Sequence, residues 1–272
     1  MHAILLTGHG GLEKLVYKTD FEVPIPKSDE VLVKVKGAAI NNTDINTRIG
    51  WYSKSVTTDS NLGATHGLSE LKAEDGSWSG TPLNFPIIQG ADVCGEIVKV
   101  GSKVINSVIG ERVLVRSMQE CLSKEKEFNC ITLGSELNGG FAQYTAVRSE
   151  EVFSINSDWS DTDLASIPCA YSTAEGLLHR AQVKEEIVFI TGASGGVGSA
   201  AIQLAKRRGS TVIAQCSVEK NKDVKNLGVE KTVARDSDLV KELGRNSVDV
   251  VIDLVAGSNW NKLLDILKPG GR

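Results

Sequence analysis

The sequence predicts an α/β protein in which a β-rich segment is followed by a doubly wound parallel sheet. Three features of the 272-residue chain lead to this prediction. Short strands bounded by glycines recur through the first part. Strands and helices alternate strictly through the second part, which is typical of a parallel sheet covered by helices. A run of closely spaced glycines lies between one such strand and helix. We expect two domains, residues 1–155 and residues 156–272.

The β-rich segment contains short apolar or alternating runs separated by turn residues, which suggests a small barrel or sandwich. These runs are Val31–Lys36, Gly95–Gly101, Arg112–Val115 and Phe141–Val147. Residues 42–49 are predicted to form a short helix. Residues 53–84 are rich in Ser, Thr, Asp, Asn and Gly, so we expect a long polar surface loop inserted into this domain.

The second part begins with a helical stretch. Ser160 is a candidate N-cap with Asp163 three residues on, and the helix is expected to be interrupted at Pro168 and to resume through Arg180. The strands predicted next are residues 187–191, 211–214, 231–234 and 249–255. The helices predicted between and after them are residues 197–208, 219–227, 237–243 and 259–267.

The glycine run has the pattern of a dinucleotide-binding turn. Glycines there let the backbone turn tightly and approach a pyrophosphate, which binds the N–H groups at the helix start. The predicted cofactor-binding residues of this turn are Gly192, Ala193, Ser194, Gly195, Gly196, Val197 and Gly198. A purely structural tight turn is the alternative, but the strand before the run and the helix after it favour cofactor binding.

The residues after the next strand favour NADP(H) over NAD(H). NAD-binding units place an Asp or Glu about 20 residues beyond the glycines, for the ribose 2′-hydroxyl. Here that region offers Cys216 and Ser217, with the cation Lys220 just beyond. We therefore assign Ser217 and Lys220 to a 2′-phosphate. Lys220 is alternatively a solvated residue of the following helix, and the neighbouring Glu219 is a counter-signal.

Composition excludes several classes of function. The formal net charge of −4 gives no basic field for nucleic acid. No apolar run approaches the length of about 20 residues that spans a bilayer. The 5 cysteines are odd in number and widely spaced, so a disulfide scaffold is not expected. We predict a cytoplasmic protein with no nucleic-acid or membrane partner.

At this point the chain resembles the medium-chain dehydrogenase/reductase superfamily, and most of all its zinc-free, quinone oxidoreductase-like branch. The resemblance covers nearly the whole chain and rests on segments that occur in the family's order. These segments are Gly90–Gly101, Gly110–Val113, Gly139–Tyr144, Pro168–Ala174 and Lys268–Gly271. The resemblance implies a GroES-like catalytic domain followed by a Rossmann domain, and a homodimer for a full-length member.

The resemblance also implies that the catalytic zinc is absent. The positions at which zinc-dependent members carry Cys, His and Cys correspond to Asn41, Ala91 and Cys169. A catalytic zinc needs three protein ligands and an open coordination position, which one thiolate does not supply. The structural zinc lobe would need four grouped cysteines, whereas Cys121 and Cys130 stand alone there. We predict no metal site, with an adventitious site at these two cysteines left open.

Roles for individual residues follow from the resemblance. Thr173 would contact the nicotinamide, Asn41 would donate a hydrogen bond to the substrate oxygen, and Tyr52 would place an aromatic hydroxyl near the substrate. Alternatives remain for Asn41 as the cap of the short helix and for Tyr52 as an exposed loop aromatic. Asp44 is expected to be a structural carboxylate at the helix start, and His66 a solvated loop residue.

Without a metal, the accessible chemistry is hydride donation to an acceptor that carries its own electron sink. The predicted function is therefore an NADPH-dependent reductase of a quinone or an α,β-unsaturated carbonyl. One alternative is a divergent zinc-dependent alcohol dehydrogenase that recruits Asp92 and Cys169. The other is a non-catalytic NADPH-binding or structural protein, or an inactive fragment.

We also expect the chain to be a fragment that lacks a C-terminal piece. Residues 249–255 are as apolar as a strand with neighbours on both sides. The next strand would begin just after Gly271, where the chain stops at Arg272. As it stands, residues 249–255 would form an exposed apolar edge. The family also returns a final segment to its catalytic domain, which is missing here.

Overall fold

The structure is a computed structural model that describes residues 1–58, 63–68, 76–121, 129–257 and 260–272. The chain divides into two compact units. Of the described residues, the first contains Met1–Thr57 and those from 63 to 169, and the second contains Thr58 and those from 170 to 272.

The first unit is built from short strands, as the sequence predicts. In chain order they are β1 (Ala3–Leu6), β2 (Leu15–Lys18), β3 (Glu30–Gly37), β4 (Ile87–Ile88), β5 (Cys94–Val100), β6 (Arg112–Val115), β7 (Met118–Cys121), β8 (Asn129–Thr132), β9 (Tyr144–Arg148) and β10 (Val152–Ser154). In the described part of this unit they form a five-stranded antiparallel sheet in the order β10-β6-β5-β3-β9, a three-stranded sheet in the order β2-β1-β4 and the hairpin β7-β8. Short 3-10 turns precede β2 and β10.

The core of the first unit lies on one face of the five-stranded sheet. Val31 and Val33 of β3 and Ile97 of β5 are fully buried and pack together. Three of the predicted strands are confirmed to within one residue. The fourth begins later than predicted, because the backbone of Phe141 hydrogen-bonds instead to Ile4 and Gln89.

Helices begin at the predicted capping residues. Helix α1 (Asn42–Ile49) confirms the predicted short helix. Helix α2 (Asp161–Ala165) begins after Ser160, whose hydroxyl accepts the N–H of Asp163 at 3.1 Å. A side-chain oxygen at this position satisfies an N–H group that has no partner within the helix.

The prediction for Pro168 is wrong in detail. Pro168 does not interrupt a continuing helix but is the first residue of α3 (Pro168–Arg180). Proline suits this position because the N–H group that it lacks would have had no partner within the helix.

The first unit extends past the boundary predicted after residue 155, because α2 packs on the antiparallel sheet. Leu164 and Ala165 of α2 are buried against Cys94 of β5. Gly37, at the end of β3, permits a close approach, since a Cβ there would lie 2.8 Å from the carbonyl carbon of Asp161. The helix therefore belongs to the first unit, and the division falls after Cys169.

The second unit contains the predicted parallel sheet. Its elements are β11 (Ile187–Ile190), α4 (Gly196–Arg207), β12 (Thr211–Cys216), α5 (Asn221–Asn226), β13 (Lys231–Ala234), α6 (Leu239–Leu243), β14 (Val250–Ile252) and α7 (Trp260–Ile266). The strand order is β13-β12-β11-β14, and all neighbours are parallel. Later strands therefore lie on both sides of β11, as in a doubly wound sheet. Among the described helices of the chain, none combines the length and apolar character that crossing a bilayer requires.

Several elements of the second unit are shorter than predicted, among them α6, which begins at Leu239 rather than at residue 237. The strand predicted at 249–255 ends with β14, because the Asp253 carboxylate accepts hydrogen bonds from the N–H groups two and three residues further on, at 3.1 and 3.4 Å. The helix predicted at 219–227 is split into a 3-10 turn, Val218–Lys220, and α5.

Strand β14 lies at the edge of the described sheet, where the sequence predicts an exposed edge. Part of this edge is covered by the backbone of Arg272. Its N–H donates to the carbonyl of Asp249 at 3.0 Å, and its carbonyl accepts the N–H of Val251 at 2.8 Å. Pairing beside β14 therefore begins just after Gly271, at the position predicted for the next strand.

The predicted surface loop at 53–84 contains turns and bends but no helix or strand in its described parts. The prediction that it lies on the surface is wrong at four described positions, because Ser53, Gly76, Ser77 and Leu83 are buried. The hydroxyl groups of the two serines are satisfied by neighbouring serines, which permits their burial. The parts of the loop at 59–62 and 69–75 lie outside the described residues.

Candidate functional site

The glycine run of the second unit joins β11 to α4, and two of its glycines shape the turn. Gly192 has a φ of +57°, in the left-handed region that glycine adopts without strain. Gly198 packs against the turn, since a Cβ there would lie 2.6 Å from the Cα of Ala193 and closer still to the carbonyl oxygen of Gly192. A side chain at position 198 would therefore push helix and turn apart.

Two other glycines leave open space beside the helix start. Gly195 and Gly196 are exposed. A Cβ on Gly196 would have the Cβ of Ala170, at 3.5 Å, as its nearest described neighbour. The first N–H groups of a helix have no partner within it, and together with the helix dipole they attract anions. The turn thus forms an open cradle, lined by backbone N–H groups, that fits a dinucleotide pyrophosphate.

Thr191 ties this turn to the end of β14. Its hydroxyl donates to the Asp253 carboxylate at 2.6 Å and accepts the N–H of Leu254 at 2.8 Å. The backbone N–H of Thr191 donates to the carbonyl of Ile252 at 3.0 Å. The turn is therefore fixed by the neighbouring strand as well as by its own glycines.

Polar and charged side chains follow the end of β12. The carboxylate of Glu219 accepts hydrogen bonds from its own backbone N–H and from the Ser217 hydroxyl, and these lower the pKa of that carboxyl. Lys220 is exposed on the same 3-10 turn. The structure thus places Ser217 and Lys220 together at the strand end, but it also places Glu219 beside them.

Arg235 is a member of this group that the sequence analysis missed. It directly follows β13, and the side-chain amide of Gln215 donates to the carbonyls of Ala234 and Arg235 at 3.3 and 3.4 Å. The charge of Arg235 helps to lower the pKa of the Glu219 carboxyl. Parallel strands end at a common edge of the sheet, so a cation just after the next strand was the signal that could have identified it.

In the first unit, Asn41 is held by a buried carboxylate. The side-chain amide of Asn41 donates to Oδ2 of Asp92 at 2.7 Å. The other carboxylate oxygen, Oδ1, accepts the backbone N–H of Cys169 at 2.7 Å and the hydroxyl of Ser117 at 3.4 Å. Asp92 is 0% exposed, so protein groups satisfy it in place of water.

Asp44 has the structural role expected of a helix-start carboxylate. Its Oδ2 accepts the backbone N–H of Asn41 at 2.8 Å. Its Oδ1 accepts the N–H groups of Gly90 and Ala91 at 3.2 and 3.1 Å. Asn41 is the N-cap residue of α1 as well as the partner of Asp92, and its hydrogen bond to a substrate oxygen stays a prediction.

Burial raises the pKa of Asp44 and of Asp92, each to about 6. Backbone N–H groups that donate to Asp44 act against this rise. At Asp92 the amide of Asn41 and the N–H of Cys169 act against it, while the charge of Asp44 adds to it. Both carboxyls are therefore mainly ionised at neutral pH and gain protons near pH 6.

Tyr52 is a packed aromatic, so the alternative of an exposed loop residue is wrong. Its hydroxyl donates to Oγ1 of Thr43, in the first turn of α1, at 2.9 Å. Its ring centroid lies 5.7 Å from that of Trp51 and 4.9 Å from that of Trp78. Burial raises the pKa of the Tyr52 hydroxyl, which therefore stays protonated at neutral pH.

The remaining candidate residues are placed as follows. Thr173 is half-buried on α3, in the second unit, and its contact with the nicotinamide stays a prediction. His66 is exposed, as expected of a loop residue. Cys130 is half-buried on β8, and the side chain of Cys121 lies outside the described residues.

The residues at the family's zinc-ligand positions do not fit a catalytic zinc. The Asn41 amide donates to Asp92, Ala91 has no ligand atom, and both carboxylate oxygens of Asp92 accept hydrogen bonds. Cys169 alone would be left to bind the metal, where three protein ligands are needed. In the part of the chain that the structure describes, no three His, Cys, Asp or Glu side chains are grouped as a metal site would require.

Comparisons with known proteins identify the family of this chain. Residues 27–157 match the alcohol dehydrogenase GroES-like domain, and residues 196–272 match the zinc-binding dehydrogenase family. Quinone oxidoreductase from Sus scrofa is 30% identical over 280 residues, which cover 100% of this chain and 71% of that protein. The chain belongs to the medium-chain dehydrogenase/reductase superfamily. Its relatives place it in the quinone oxidoreductase-like branch.

This chain also covers more than half of the length of other similar proteins. NADPH-dependent alkenal/one oxidoreductase, a chloroplastic protein of Arabidopsis thaliana, is 30% identical, and this chain covers 61% of it. The solved structure of quinone oxidoreductase from Coxiella burnetii is 28% identical with a TM-score of 0.74, covering 100% of this chain and 74% of that one. A solved structure from Sinorhizobium meliloti, described as an alcohol dehydrogenase, is 40% identical with a TM-score of 0.83, covering 100% of this chain and 74% of that one. These similarities confirm the GroES-like domain followed by a Rossmann domain.

Membership in the superfamily implies a nicotinamide dinucleotide, and the glycine cradle of the Rossmann domain fits one. The residues that would hold its pyrophosphate are those of the turn between β11 and α4. The backbone donors of this turn, and the space left beside Gly195 and Gly196, supply the anion site.

Two neighbouring glycines are expected to respond differently to alanine. Gly198→Ala should lower the unfolding free energy by about 1–3 kcal/mol, because the added methyl group meets backbone atoms. Gly196→Ala should keep the stability but weaken cofactor binding at least about tenfold, since its methyl group would fill the cradle. Chemical denaturation and cofactor-fluorescence titration measure the two effects. Equal loss of stability in both variants would contradict this division of roles.

The pH dependence of stability should reflect the buried Asp92. Its pKa is raised, so the folded state binds the proton more tightly, and unfolding free energy should fall as pH rises from about 4 to about 6. Asp92→Asn should remove a component of this fall on the order of 2–3 kcal/mol. Urea denaturation at a series of pH values measures it.

The exposed Asp158 provides the matched control, and Asp158→Asn should keep the wild-type pH profile. A profile that is the same in wild type and Asp92→Asn would mean that the buried carboxyl does not titrate in this range.

Proposed function

We propose that this protein is an NADPH-dependent reductase that transfers a hydride to a quinone or an α,β-unsaturated carbonyl without catalytic zinc. The observation that carries the proposal is the hydrogen bond from the Asn41 amide to the buried Asp92. An oriented amide thus stands at the position where zinc-dependent members carry a metal ligand. The acceptor class is supported by relatives described as quinone oxidoreductase, alkenal/one oxidoreductase and, in Solanum lycopersicum, 2-methylene-furan-3-one reductase.

The proposed chemistry requires a hydrogen-bond donor at the acceptor oxygen. When bound, NADPH would supply the hydride, and the acceptor would gain this hydride and one proton to become a hydroquinone or a saturated carbonyl. The amide of Asn41 has two N–H groups, of which one donates to Asp92. We assign the second to the acceptor oxygen, where negative charge develops. The ionised carboxylate of Asp92 can only accept hydrogen bonds, so it orients the Asn41 amide with its NH₂ group toward Asp92.

Tyr52 is the proposed source of the proton. Its hydroxyl stays protonated at neutral pH because burial raises its pKa. The hydrogen bond to Thr43 holds that hydroxyl at the first turn of α1, the helix that Asn41 caps. A positioned acid beside the helix start would protonate the reduced acceptor.

Three side chains support NADPH over NADH as the cofactor. Ser217, Lys220 and Arg235 lie at the ends of β12 and β13, and β12 itself ends in Cys216 without an Asp or Glu for a ribose 2′-hydroxyl. Two cations and a hydroxyl suit a 2′-phosphate. The negative charge of Glu219 would repel a phosphate bound beside it, although the positive charge of Arg235 partly offsets that of Glu219.

The assay of function uses the purified protein with NADPH or NADH and a panel of acceptors: 1,4-benzoquinone, 9,10-phenanthrenequinone and 2-cyclohexenone. We expect loss of NADPH absorbance with at least one acceptor, slower loss with NADH, and no effect of zinc chelation. Tight NADPH binding without turnover would indicate a non-catalytic cofactor-binding protein. Activity that needs stoichiometric zinc would indicate a divergent alcohol dehydrogenase instead.

Cofactor preference is tested on the strand-end cations. Lys220→Ala and Arg235→Ala should each raise the KM for NADPH about tenfold and leave the KM for NADH nearly unchanged, because only NADPH carries the 2′-phosphate. Lys222→Ala, at an exposed lysine of α5, is the matched control and should change neither value. Parallel losses with both cofactors would refute the assignment of these cations to the phosphate.

A further inference from the structure

Trp78 lies on a tight turn within the polar insert of the catalytic domain. The N–H of Gly80 donates to the carbonyl of Ser77 at 3.0 Å, and Gly80 has a φ of +74°. The hydroxyl of Ser77 contacts that of Ser79 at 2.8 Å and accepts the N–H of Thr81 at 3.2 Å. Side-chain hydroxyl groups therefore brace the turn that carries the indole.

Glu136 anchors this turn to the hairpin β7-β8. One carboxylate oxygen of Glu136 accepts the N–H of Ser79 at 3.1 Å, and the other accepts the N–H of Thr132, the last residue of β8, at 2.8 Å. The position of Trp78 is thus set by contacts outside the insert. A residue held in this way loses little conformational freedom when a ligand stacks on it.

The ring of Trp78 packs against the ring of Tyr52, and its side chain also hydrogen-bonds the Tyr52 hydroxyl. Its centroid lies 4.9 Å from that of Tyr52, with the rings tilted by 37°. Trp78 is nevertheless 48% exposed, so about half of its surface is accessible to solvent. Tyr52 connects it to the first turn of α1 through Thr43, two residues after Asn41. An exposed indole therefore adjoins Tyr52, to which we assign the proton transfer.

We infer that Trp78 is the aromatic wall of the acceptor site and selects planar, aromatic acceptors over small aliphatic enones. Stacking between flat rings adds to the area that they bury, so a polycyclic quinone gains more from an indole than an aliphatic ring does. This inference rests on the proposed reductase function and specifies its substrate class. We assign Trp78 to binding of the acceptor; its side chain also hydrogen-bonds the Tyr52 hydroxyl and acts to lower the pKa of that group.

The test compares two acceptors in wild type, Trp78→Ala and Trp78→Phe. Trp78→Ala should raise the KM for 9,10-phenanthrenequinone about tenfold and change the KM for 2-cyclohexenone less than about twofold. Trp78→Phe should retain most of the preference because it keeps an aromatic face. The matched control is Trp159→Ala, at a tryptophan of the same unit that is 58% exposed, and it should leave both KM values unchanged. Equal effects of Trp78→Ala on the two acceptors, or no effect on either, would overturn the inference.

Direct binding separates this inference from the reductase function itself. Isothermal titration calorimetry with 2-naphthol, a planar probe that is not reduced, should show binding to wild type and Trp78→Phe and loss of at least about tenfold in affinity in Trp78→Ala. That result supports the aromatic wall even if no acceptor is turned over. Equal affinity of wild type and Trp78→Ala for 2-naphthol rejects it even if the protein proves to be an active reductase.

Discussion

The catalytic domain depends on the need to satisfy the buried carboxylate of Asp92. A carboxylate that is 0% exposed has no water to accept from, so protein donors must approach it from several segments of the chain. Asn41 comes from the residue before α1, Cys169 from the first turn of α3, and Ser117 from the chain between β6 and β7. Asp44 adds a second buried carboxylate that binds the chain at Gly90. Segments far apart in sequence are thereby held at one place.

The elements that the sequence predicts well are those whose ends are determined by residues close to them in the chain. Helix α1 has its N-cap and its C-terminal glycine within the same stretch of chain, and β6 is bounded by its own turn residues. The errors arise where side chains act on backbone nearby in ways that composition does not reveal. Asp253 ends β14 by binding the N–H groups that follow it, although the residues there are apolar enough for a strand. Pro168 starts a helix where its ring was expected only to break one.

The candidate site shows the same division. The glycine turn is visible in the sequence because all of its functional atoms come from consecutive residues. Arg235 joins Ser217 and Lys220 only because β12 and β13 pair in parallel, and no pattern within either strand indicates it. Trp78 contacts Tyr52 across more than twenty residues of polar sequence that shows no helical or strand periodicity. Residues brought together by tertiary structure alone are therefore the ones that sequence reasoning missed.

The bond between Thr191 and Asp253 also bears on the order in which the Rossmann domain folds. The two residues are 62 positions apart, so their contact closes a long loop and carries the corresponding entropic cost. The pairing of β11 with β12 spans a much shorter loop and is favoured to form earlier. The cofactor turn reaches its final hydrogen bonding only once β14 has joined the sheet. A nascent or partly unfolded chain would therefore have the glycine motif in place before it had a formed cofactor cradle.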